Sequence, residues 1–349
     1  MQAVAIEPET MILRPPAPVE LDAVQRVWSV SQDVDEPLGR PSDGWWSLAD
    51  WATTSRVLVA AGAVVGVAAV EYRPGADAAE ARVVLLPAHR QRRHAVELIR
   101  ATITLARDLR APVVRLYTPV AARWSTEPAR ALGFHAIREQ HVMLRPADAA
   151  PPVAPPVPGV LIRPLMDGEE PALLQFLNHA WAGTWNFRPI TMEALRSDLE
   201  GHRQGMLVAV DEADQGRIVG TCHALFDPSH HNPGGQPYAW ISNLTADPAS
   251  RGRGLGRALL AAGLHYLRAQ GAASIALGVD GGAAVPLALY RSLGFATISA
   301  VAISERPAMV PSRSARAAYP GAVQRIHVPQ LTSDDAAVDG RAVPAAVGV

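Results

Sequence analysis

The chain has 349 residues, with 32 basic and 33 acidic side chains and a formal net charge of -1. This balance gives no bulk field that would attract nucleic acid or an anionic membrane. All 32 cations are arginine, which excludes a lysine Schiff base and a lysine-containing phosphate loop. The single cysteine, Cys222, excludes internal disulfides and thiolate-cage metal sites and is typical of a reducing compartment. We therefore expect a cytoplasmic protein that binds no metal, nucleic acid or membrane.

The longest uncharged apolar run also argues against membrane insertion. Residues 57–70 are fewer than the roughly 20 that a membrane-spanning helix needs, and Gly62 and Gly66 interrupt them. The run therefore predicts a buried β-hairpin. Residues 1–16 contain glutamate and lack the apolar core of a secretory signal.

The two halves of the chain share one sequence plan. At a constant offset of 161 positions (248 minus 87), matching residues run from Pro87-Ala88 with Pro248-Ala249 to Leu132-Gly133-Phe134 with Leu293-Gly294-Phe295. One offset held over this distance predicts a duplicated domain. The proline- and alanine-rich residues 146–159 predict an extended linker that does not pack. We expect domains at 12–145 and 160–305, followed by a largely disordered tail at 306–349.

The second copy shows its elements most clearly. We expect a helical region reaching Gly201, strands at 206–211 and 217–226, a loop at 227–237, a strand at 238–245, a helix from Leu255 to Gly271, a strand at 274–279 and a helix at 285–293. This order predicts an α/β fold in which a mixed antiparallel and parallel sheet is flanked by helices.

The turn after the third of these strands is the most informative segment. Glycines occupy alternate positions at 252, 254 and 256, directly before the long helix, so backbone N–H groups at a helix N-terminus are left uncovered. Arginines at 251, 253 and 257 add positive charge, and a pyrophosphate suits such a donor cluster. A glycine-loosened turn with solvated arginines is the alternative. A dinucleotide site is disfavoured because its glycines are spaced G-x-G-x-x-G.

Two motifs in the second copy resemble those of one superfamily. Arg251-x-x-Gly254-x-Gly256 resembles the acetyl-CoA signature of the GCN5-related N-acetyltransferases (GNAT), and residues 288–295 are similar to their LY-x-x-LGF ending. The layout is similar to that of tandem, mycothiol synthase-like acetyltransferases. The resemblance implies two tandem GNAT-like domains and transfer of an acetyl or small acyl group from acetyl-CoA to an amine of a small molecule, by direct attack in a ternary complex. The alternative is a non-catalytic acyl-CoA-binding or regulatory module.

The resemblance also implies roles for individual residues. Tyr290 matches the tyrosine that protonates the departing thiolate, although a core aromatic role is the alternative. The implied cofactor-binding residues are Leu244, Thr245 and Ala246 for the pantetheine arm, and Arg251, Gly252, Arg253, Gly254, Leu255, Gly256 and Arg257 for the pyrophosphate.

The second copy departs from the family pattern at two positions. An asparagine common in relatives is replaced by Ala283, and the general-base glutamate of mycothiol synthase-like proteins by Trp240, which argues against mycothiol synthesis itself. The base stays open between Asp227, His223 and His230, a water-mediated route, or no base if the amine arrives neutral.

The first copy fails the same motif test. It has Arg93 and Ala95 where the second copy has its two signature glycines, and Ala129 at the place of the tyrosine. An arginine side chain would occupy the space that phosphates need. We therefore expect no cofactor there and a role as a scaffold or as part of the acceptor pocket.

Overall fold

The structure, a computed structural model, describes residues 11–36, 50–73, 76–149, 152–153, 156–185, 187–232 and 234–309. Most of the expected tail, from residue 310 onward, lies outside these ranges. Among the described residues, no helix combines the length and apolar character needed to cross a membrane.

The elements of the first half end with a long strand. In chain order they are β1 (Met11–Arg14), α1 (Leu21–Asp35), β2 (Ser55–Ala60), β3 (Ala63–Glu71), β4 (Ala79–Leu85), α2 (Arg92–Asp108), β5 (Val113–Pro119), α3 (Arg123–Ala131) and β6 (His135–Pro146).

The second half repeats this plan with one more helix near its start. Its elements are β7 (Val160–Pro164), α4 (Glu170–Ala180), α5 (Met192–Leu199), β8 (Met206–Asp211), β9 (Arg217–His231), β10 (Pro237–Ala246), α6 (Leu255–Ala269), β11 (Ser274–Asp280), α7 (Ala284–Ser292) and β12 (Ala296–Pro307). The expected helical region is two helices, because Gly183 takes a positive φ of 80° and Pro189 follows it.

The chain forms two compact units. The first contains the residues up to Glu139 and the stretch that begins at Ala300, and the second contains residues 140–299. The first unit has the strand order β1-β2-β3-β4-β5-β12. The predicted hairpin at 57–70 is the β2–β3 pair, and only β4 and β5 are parallel.

In the second unit the strand order is β7-β8-β9-β10-β11-β6. Its parallel pair is β10 with β11, and the other neighbours are antiparallel. Each unit is thus a mixed sheet accompanied by helices, which confirms the predicted α/β class. Strand β7, which the sequence reading did not assign, adds an edge to this sheet.

The last strand of each half joins the sheet of the other unit. Strand β6 pairs with β11 along residues 140–146, and β12 pairs with β5 along residues 301–307. The predicted domain boundaries, 12–145 and 160–305, place β6 with the first half and β12 with the second. Sheet pairing is made by backbone groups that every residue carries, so the repeat does not reveal this exchange.

Buried arginines hold both exchanged strands. Arg145 on β6 is 4% exposed and donates from Nε to the carbonyl of Leu293 at 2.7 Å. Arg115 on β5 pairs with Glu305 on β12 and with Asp77. A different placement of either strand would leave a buried arginine without these partners, which is costly for a charged group. The contacts therefore favour the observed pairing of β6 with β11 and of β12 with β5.

The linker at 146–159 differs from the expected unpacked segment. Ala147 and Val157 are buried, and the backbone N–H of Ala147 donates to the carbonyl of Ala273. Small apolar side chains are readily buried, so this composition is compatible with packing against the second unit.

Helix α6 buries the apolar stripe that its sequence predicts. Leu259, Leu260, Leu264 and Leu267 are at most 1% exposed, and each such side chain contributes about 1.5–3 kcal/mol by leaving water. The helix approaches β9 closely, since a Cβ atom on Gly263 would lie 2.7 Å from the Sγ atom of Cys222. The fold thereby fixes the start of α6 beside the end of β10.

Candidate functional site

The parallel strands β10 and β11 separate halfway along their length. They pair from Tyr238 with Ser274 to Ile241 with Leu277 and no further. Beyond this point β10 keeps its pairing with β9 up to Ala246, while β11 keeps its pairing with β6 up to Asp280. We call the space between the diverging strands the β10–β11 opening. Backbone groups facing it lack a partner strand and can pair with an extended ligand.

A β-bulge shapes β10 at the opening. The register with β9 shifts between Ser242 and Thr245, and Asn243 takes a positive φ of 47°. The hydroxyl of Thr221 donates to the carbonyl of Asn243 at 2.6 Å, which holds the bulge. Sequence reasoning did not find it, although asparagine is one of the few non-glycine residues that tolerate positive φ. Leu244, Thr245 and Ala246 therefore lie at or just after the bulge, in the part of β10 that no longer pairs with β11.

The glycine turn leads from β10 into α6. Gly252 and Gly254 have φ angles of 76° and 85°, which glycine adopts without strain. Gly254 is the N-cap residue and supplies no capping side chain, and the helix begins at Leu255. The first N–H groups of a helix have no intrahelical acceptor, so this end presents donors to an anion.

The arginines at the turn make contacts within the protein. Arg253 donates to the carbonyl of Pro158 at 2.9 Å, and Arg257 donates to the hydroxyl of Ser292 on α7 at 2.7 Å. Arg251 is partly buried beside them. Gly256 lies where α6 meets α7, because an added Cβ would lie 3.7 Å from Leu289. The positive charges are thus held in place around the helix start.

Several buried hydroxyls in this unit lack hydrogen-bond partners among the described residues, and two of them are on residues of the predicted site. These two belong to Tyr290 on α7, which is 0% exposed, and to Thr245 at the bulge, which is 2% exposed. A buried hydroxyl without a partner costs about 1–3 kcal/mol. Such groups fit a ligand that supplies the missing hydrogen bonds, which is an independent sign of a binding site.

The phenol of Tyr290 is held in its protonated form. Burial raises the pKa of Tyr290 well above its ordinary value, and the nearby Cys222 thiol adds a smaller contribution in the same direction. The ring also packs edge-on against Phe295, with 6.1 Å between ring centroids. A phenol that stays protonated at neutral pH can donate a proton or a hydrogen bond to developing negative charge.

The three candidate bases lie in two places on β9. Asp227 and His230 are on the β9 end of the β9–β10 hairpin, with side chains 40% and 49% exposed. The Ser229 hydroxyl and N–H donate to Asp227 and lower the pKa of its carboxyl, which weakens it as a base. His223 is 1% exposed and faces Ser242 across the β9–β10 pair. The structure therefore does not gather the three into one cluster.

Cys222 lies on the core side of β9. It is fully buried, and desolvation raises the pKa of its thiol to about 12. Neighbouring residues of a strand point to opposite faces, so Cys222 and His223 cannot form a nucleophile–base pair. The described residues contain no group of three or more potential metal ligands.

The first unit lacks the glycine turn. Helix α2 begins at Arg92, two positions earlier than α6 by the 161-residue offset, and Gln91 before it has an extended conformation with φ of -96°. Arg93 is inside the helix and donates to the Nε2 atom of the buried His94. Ala129, at the position of Tyr290, is buried and carries no hydroxyl. Side chains therefore occupy the place where the second unit exposes backbone donors.

Comparison with known proteins relates the sequence to acetyltransferases. Residues 171–295 match the family described as acetyltransferase (GNAT) family. The mycothiol acetyltransferase of Saccharomonospora viridis is 30% identical over 254 residues, which cover 68% of this chain and 78% of the relative. The mycothiol acetyltransferase of Thermomonospora curvata is 32% identical over 242 residues, covering 67% and 76%.

Solved structures share the fold along most of the chain. A GCN5-related N-acetyltransferase from Sphaerobacter thermophilus superposes with a TM-score of 0.66 at 24% identity, over 86% of this chain and 96% of that one. A tandem GNAT protein from the clavulanic acid biosynthesis pathway gives a TM-score of 0.63 at 18% identity, over 87% and 100%. At these identities the structures establish the similarity of fold.

Proposed function

The chain belongs to the acetyltransferase (GNAT) family, and we propose that its second unit transfers an acetyl group from acetyl-CoA to a primary amine of a small molecule. The observation that carries this proposal is the β10–β11 opening with the glycine turn that follows β10, and the buried Tyr290 hydroxyl on α7 supports it. These features offer backbone groups for strand-like pairing, N–H groups for an anion and a buried hydroxyl, and acetyl-CoA has a part that suits each of them.

The residues of the opening suit the different parts of acetyl-CoA. On the side that faces the opening, backbone groups of residues 244–246 can pair with the amide-rich pantetheine arm as an added strand would. The N–H groups of residues 252–257 and the arginines of the turn can bind the pyrophosphate. The orphaned hydroxyls of Thr245 and Tyr290 can meet polar atoms of the reacting end. Acetyl-CoA supplies the thioester that the amine attacks.

Tyr290 is the proposed general acid. Its raised pKa keeps the phenol protonated at neutral pH, so it can donate to the sulfur as negative charge develops there. The buried surroundings exclude water, which strengthens this electrostatic contribution.

The acceptor is proposed as a small-molecule amine, in line with the relatives named mycothiol acetyltransferases. Trp240 lies on β10, where mycothiol synthase-like proteins carry a glutamate. Its indole lies beside Gly278, since a Cβ on that glycine would be 3.9 Å from the ring. A large apolar ring next to the opening would narrow the space for the acceptor. We therefore propose an acceptor related to, but different from, that of the mycothiol acetyltransferases.

The test is coenzyme A release from acetyl-CoA with a panel of primary amines that includes the acceptor of mycothiol acetyltransferases. We expect release that depends on one class of amine and saturates with both substrates. Direct attack in a ternary complex predicts intersecting double-reciprocal plots.

Two results would contradict the proposal. Tight acetyl-CoA binding without amine-dependent release would leave only a binding module. Parallel double-reciprocal plots would indicate a covalent acyl-enzyme and would remove direct attack.

A further inference from the structure

We propose that Asp280, at the end of β11, is the catalytic residue that takes the proton from the acceptor amine. This inference rests on the acetyl transfer proposed above. It names a base that neither the sequence motifs nor the family resemblance identifies.

The strand register places Asp280 at the β10–β11 opening. Trp240 pairs with Ala276, and β11 pairs with β6 without any shift from residue 274 to 280. Side chains alternate along a strand, so Asp280 lies on the same face as Ala276 and Trp240. It is also three residues beyond Leu277, the last residue of β11 that pairs with β10. Its carboxyl group is therefore on the stretch of β11 that borders the opening.

Asp280 and Tyr290 belong to opposite faces of the sheet. Ile241 and Cys222 point toward α6, because both lie near a Cβ built on Gly263. Tyr290 is on this side because its helix α7 packs against α6, where a Cβ on Gly256 would lie 3.7 Å from Leu289. A group bound in the opening would thus have the phenol on one side and the carboxyl group on the other. Acyl transfer passes through a tetrahedral intermediate, in which a base can act on the nitrogen and an acid on the sulfur from separate sides.

No other carboxylate lies on the two strands that border the opening. Strand β10 contains none, and Asp280 is the only one on β11. Asp247, just after β10, is engaged by Arg217 and by the N–H of Ala249. Other titratable side chains lie on the neighbouring elements, among them Glu139 and His141 on β6, His223 on β9 and His179 on α4. Asp280 is 7% exposed, so its carboxyl group is largely removed from bulk water.

The first unit has lost this residue together with the tyrosine. By the 161-residue offset, Pro119 corresponds to Asp280 and Ala129 to Tyr290. The strand ends and helix starts still match, since β5 ends at Pro119 and β11 at Asp280. The connection from β5 to α3 thus forms without an acidic residue at this position. The proposed acid and base are present together only in the second unit.

The proton balance of the reaction requires such a group when the amine arrives as an ammonium ion. The new bond joins nitrogen to the acyl carbon, and the carbon–sulfur bond breaks. The ammonium loses two protons in all. Asp280 takes the first and releases it to water, and the second replaces the proton that Tyr290 gives to the sulfur. An ammonium ion and a thioester thus yield an amide, a thiol and one proton.

Asp280→Asn separates this role from a structural one. The Oδ1 atom of Asp280 accepts a hydrogen bond from the N–H of Gly282 at 2.8 Å, and an asparagine oxygen can accept the same bond. The matched control is Asp211→Asn, because Asp211 ends β8 and accepts from Ala213 in the same way at 3.0 Å. The measurements are the pH profile of kcat/KM, the Kd of acetyl-CoA and the unfolding temperature.

We expect Asp280→Asn to lower kcat/KM about 100-fold to 10,000-fold at neutral pH, the range for a positioned base. The deficit should shrink as the pH rises above the pKa of the acceptor ammonium, because the amine then arrives neutral. Acetyl-CoA affinity and unfolding temperature should match wild type, and Asp211→Asn should keep wild-type kinetics. If the asparagine variant is unstable, Asp280→Ser, whose hydroxyl can also cap Gly282, gives the same test.

Three outcomes overturn the proposal. Activity within a few-fold of wild type removes Asp280 from the reaction, and an equal loss at every pH indicates a structural role. If Asp280→Asn leaves the pH dependence of kcat/KM unchanged and His223→Gln removes it, the base is His223. If the wild-type enzyme itself releases no coenzyme A with any amine, the proposed function falls as well, so the two failures are distinguishable.

Discussion

Replacing Gly254 by arginine tests the anion-binding turn most directly. The substitution introduces the residue found at the matching position of the first unit, Arg93. Gly254 has a φ of 85°, and no atom lies within 4 Å of a Cβ built there. The space is open, so the fold suffers only from the strained backbone. A left-handed conformation costs a non-glycine residue roughly 1–2 kcal/mol, which corresponds to about 2–8 °C in unfolding temperature for a unit of this size.

The effect on binding should be much larger. Charge-assisted hydrogen bonds contribute about 1.5–3 kcal/mol each, and the new side chain would displace the pyrophosphate from at least two donors. The expected loss is therefore about 3–6 kcal/mol, or roughly 140-fold to 20,000-fold in the Kd of acetyl-CoA. Gly254→Ala should show the strain but little of the binding loss. Isothermal titration calorimetry with both variants separates the two contributions.

Gly271→Arg is the matched control. Gly271 follows the other end of α6, has a φ of 91° and likewise has no atom within 4 Å of an added Cβ. The 15-residue helix puts it about 22 Å from Gly254. This variant should lose a similar amount of stability while binding acetyl-CoA with wild-type affinity. Wild-type affinity in Gly254→Arg, or equal binding losses in both arginine variants, would refute the assignment of the turn.

Four further expectations follow from the same structure. Tyr290→Phe should lower turnover about tenfold to 10,000-fold with unchanged acetyl-CoA affinity and no loss of stability, because its hydroxyl has no partner among the described residues; equal turnover would make Tyr290 a core residue. Native mass spectrometry should show one acetyl-CoA per chain that persists as salt rises, and two such sites would show that the first unit also binds. With a thiol pKa of about 12, Cys222 should react with a thiolate-selective reagent at pH 8 only after unfolding; rapid labelling of the folded protein would contradict its burial. Gly263→Ala should cost about 1–3 kcal/mol of unfolding free energy through its contact with Cys222, and Cys222→Ala should reduce that loss; additive losses would contradict the contact.

Local sequence signals were sufficient for most elements of the second unit. Strand β8 spans the predicted residues 206–211, and α6 begins at the predicted Leu255. The hydrophobic periodicity that predicts each of these segments is contained within the segment itself. The exchange of β6 and β12 was not predictable in this way, because it depends on which backbone edges meet. Strand β9 likewise extends to His231, into residues expected to form a loop, because hairpin pairing with β10 satisfies their backbone groups.

The candidate site was predictable to a similar degree. The glycine turn and Tyr290 lie in short motifs, so the sequence identifies them, and their roles remain proposals. Asp280 has no such motif. Its place at the opening depends on the register between β10 and β11, and it is 26 residues from Gly254 along the chain (280 minus 254). The three bases considered from the sequence all lie on β9, a strand that does not border the opening.

The duplication separates the residues that the fold needs from those that the reaction needs. Leu116 and Leu277 correspond by the offset and are both fully buried, as are Phe134 and Phe295 to within 3% exposure. The positions that differ, by contrast, are those proposed to bind or react. The glycine turn is absorbed into α2, while alanine and proline replace the proposed acid and base. Random drift would also have changed core positions, because the codon of a buried leucine or phenylalanine mutates as readily as that of a surface residue. Selection for packing without selection for cofactor binding explains both observations in the first unit, which is why we expect a single active site per chain.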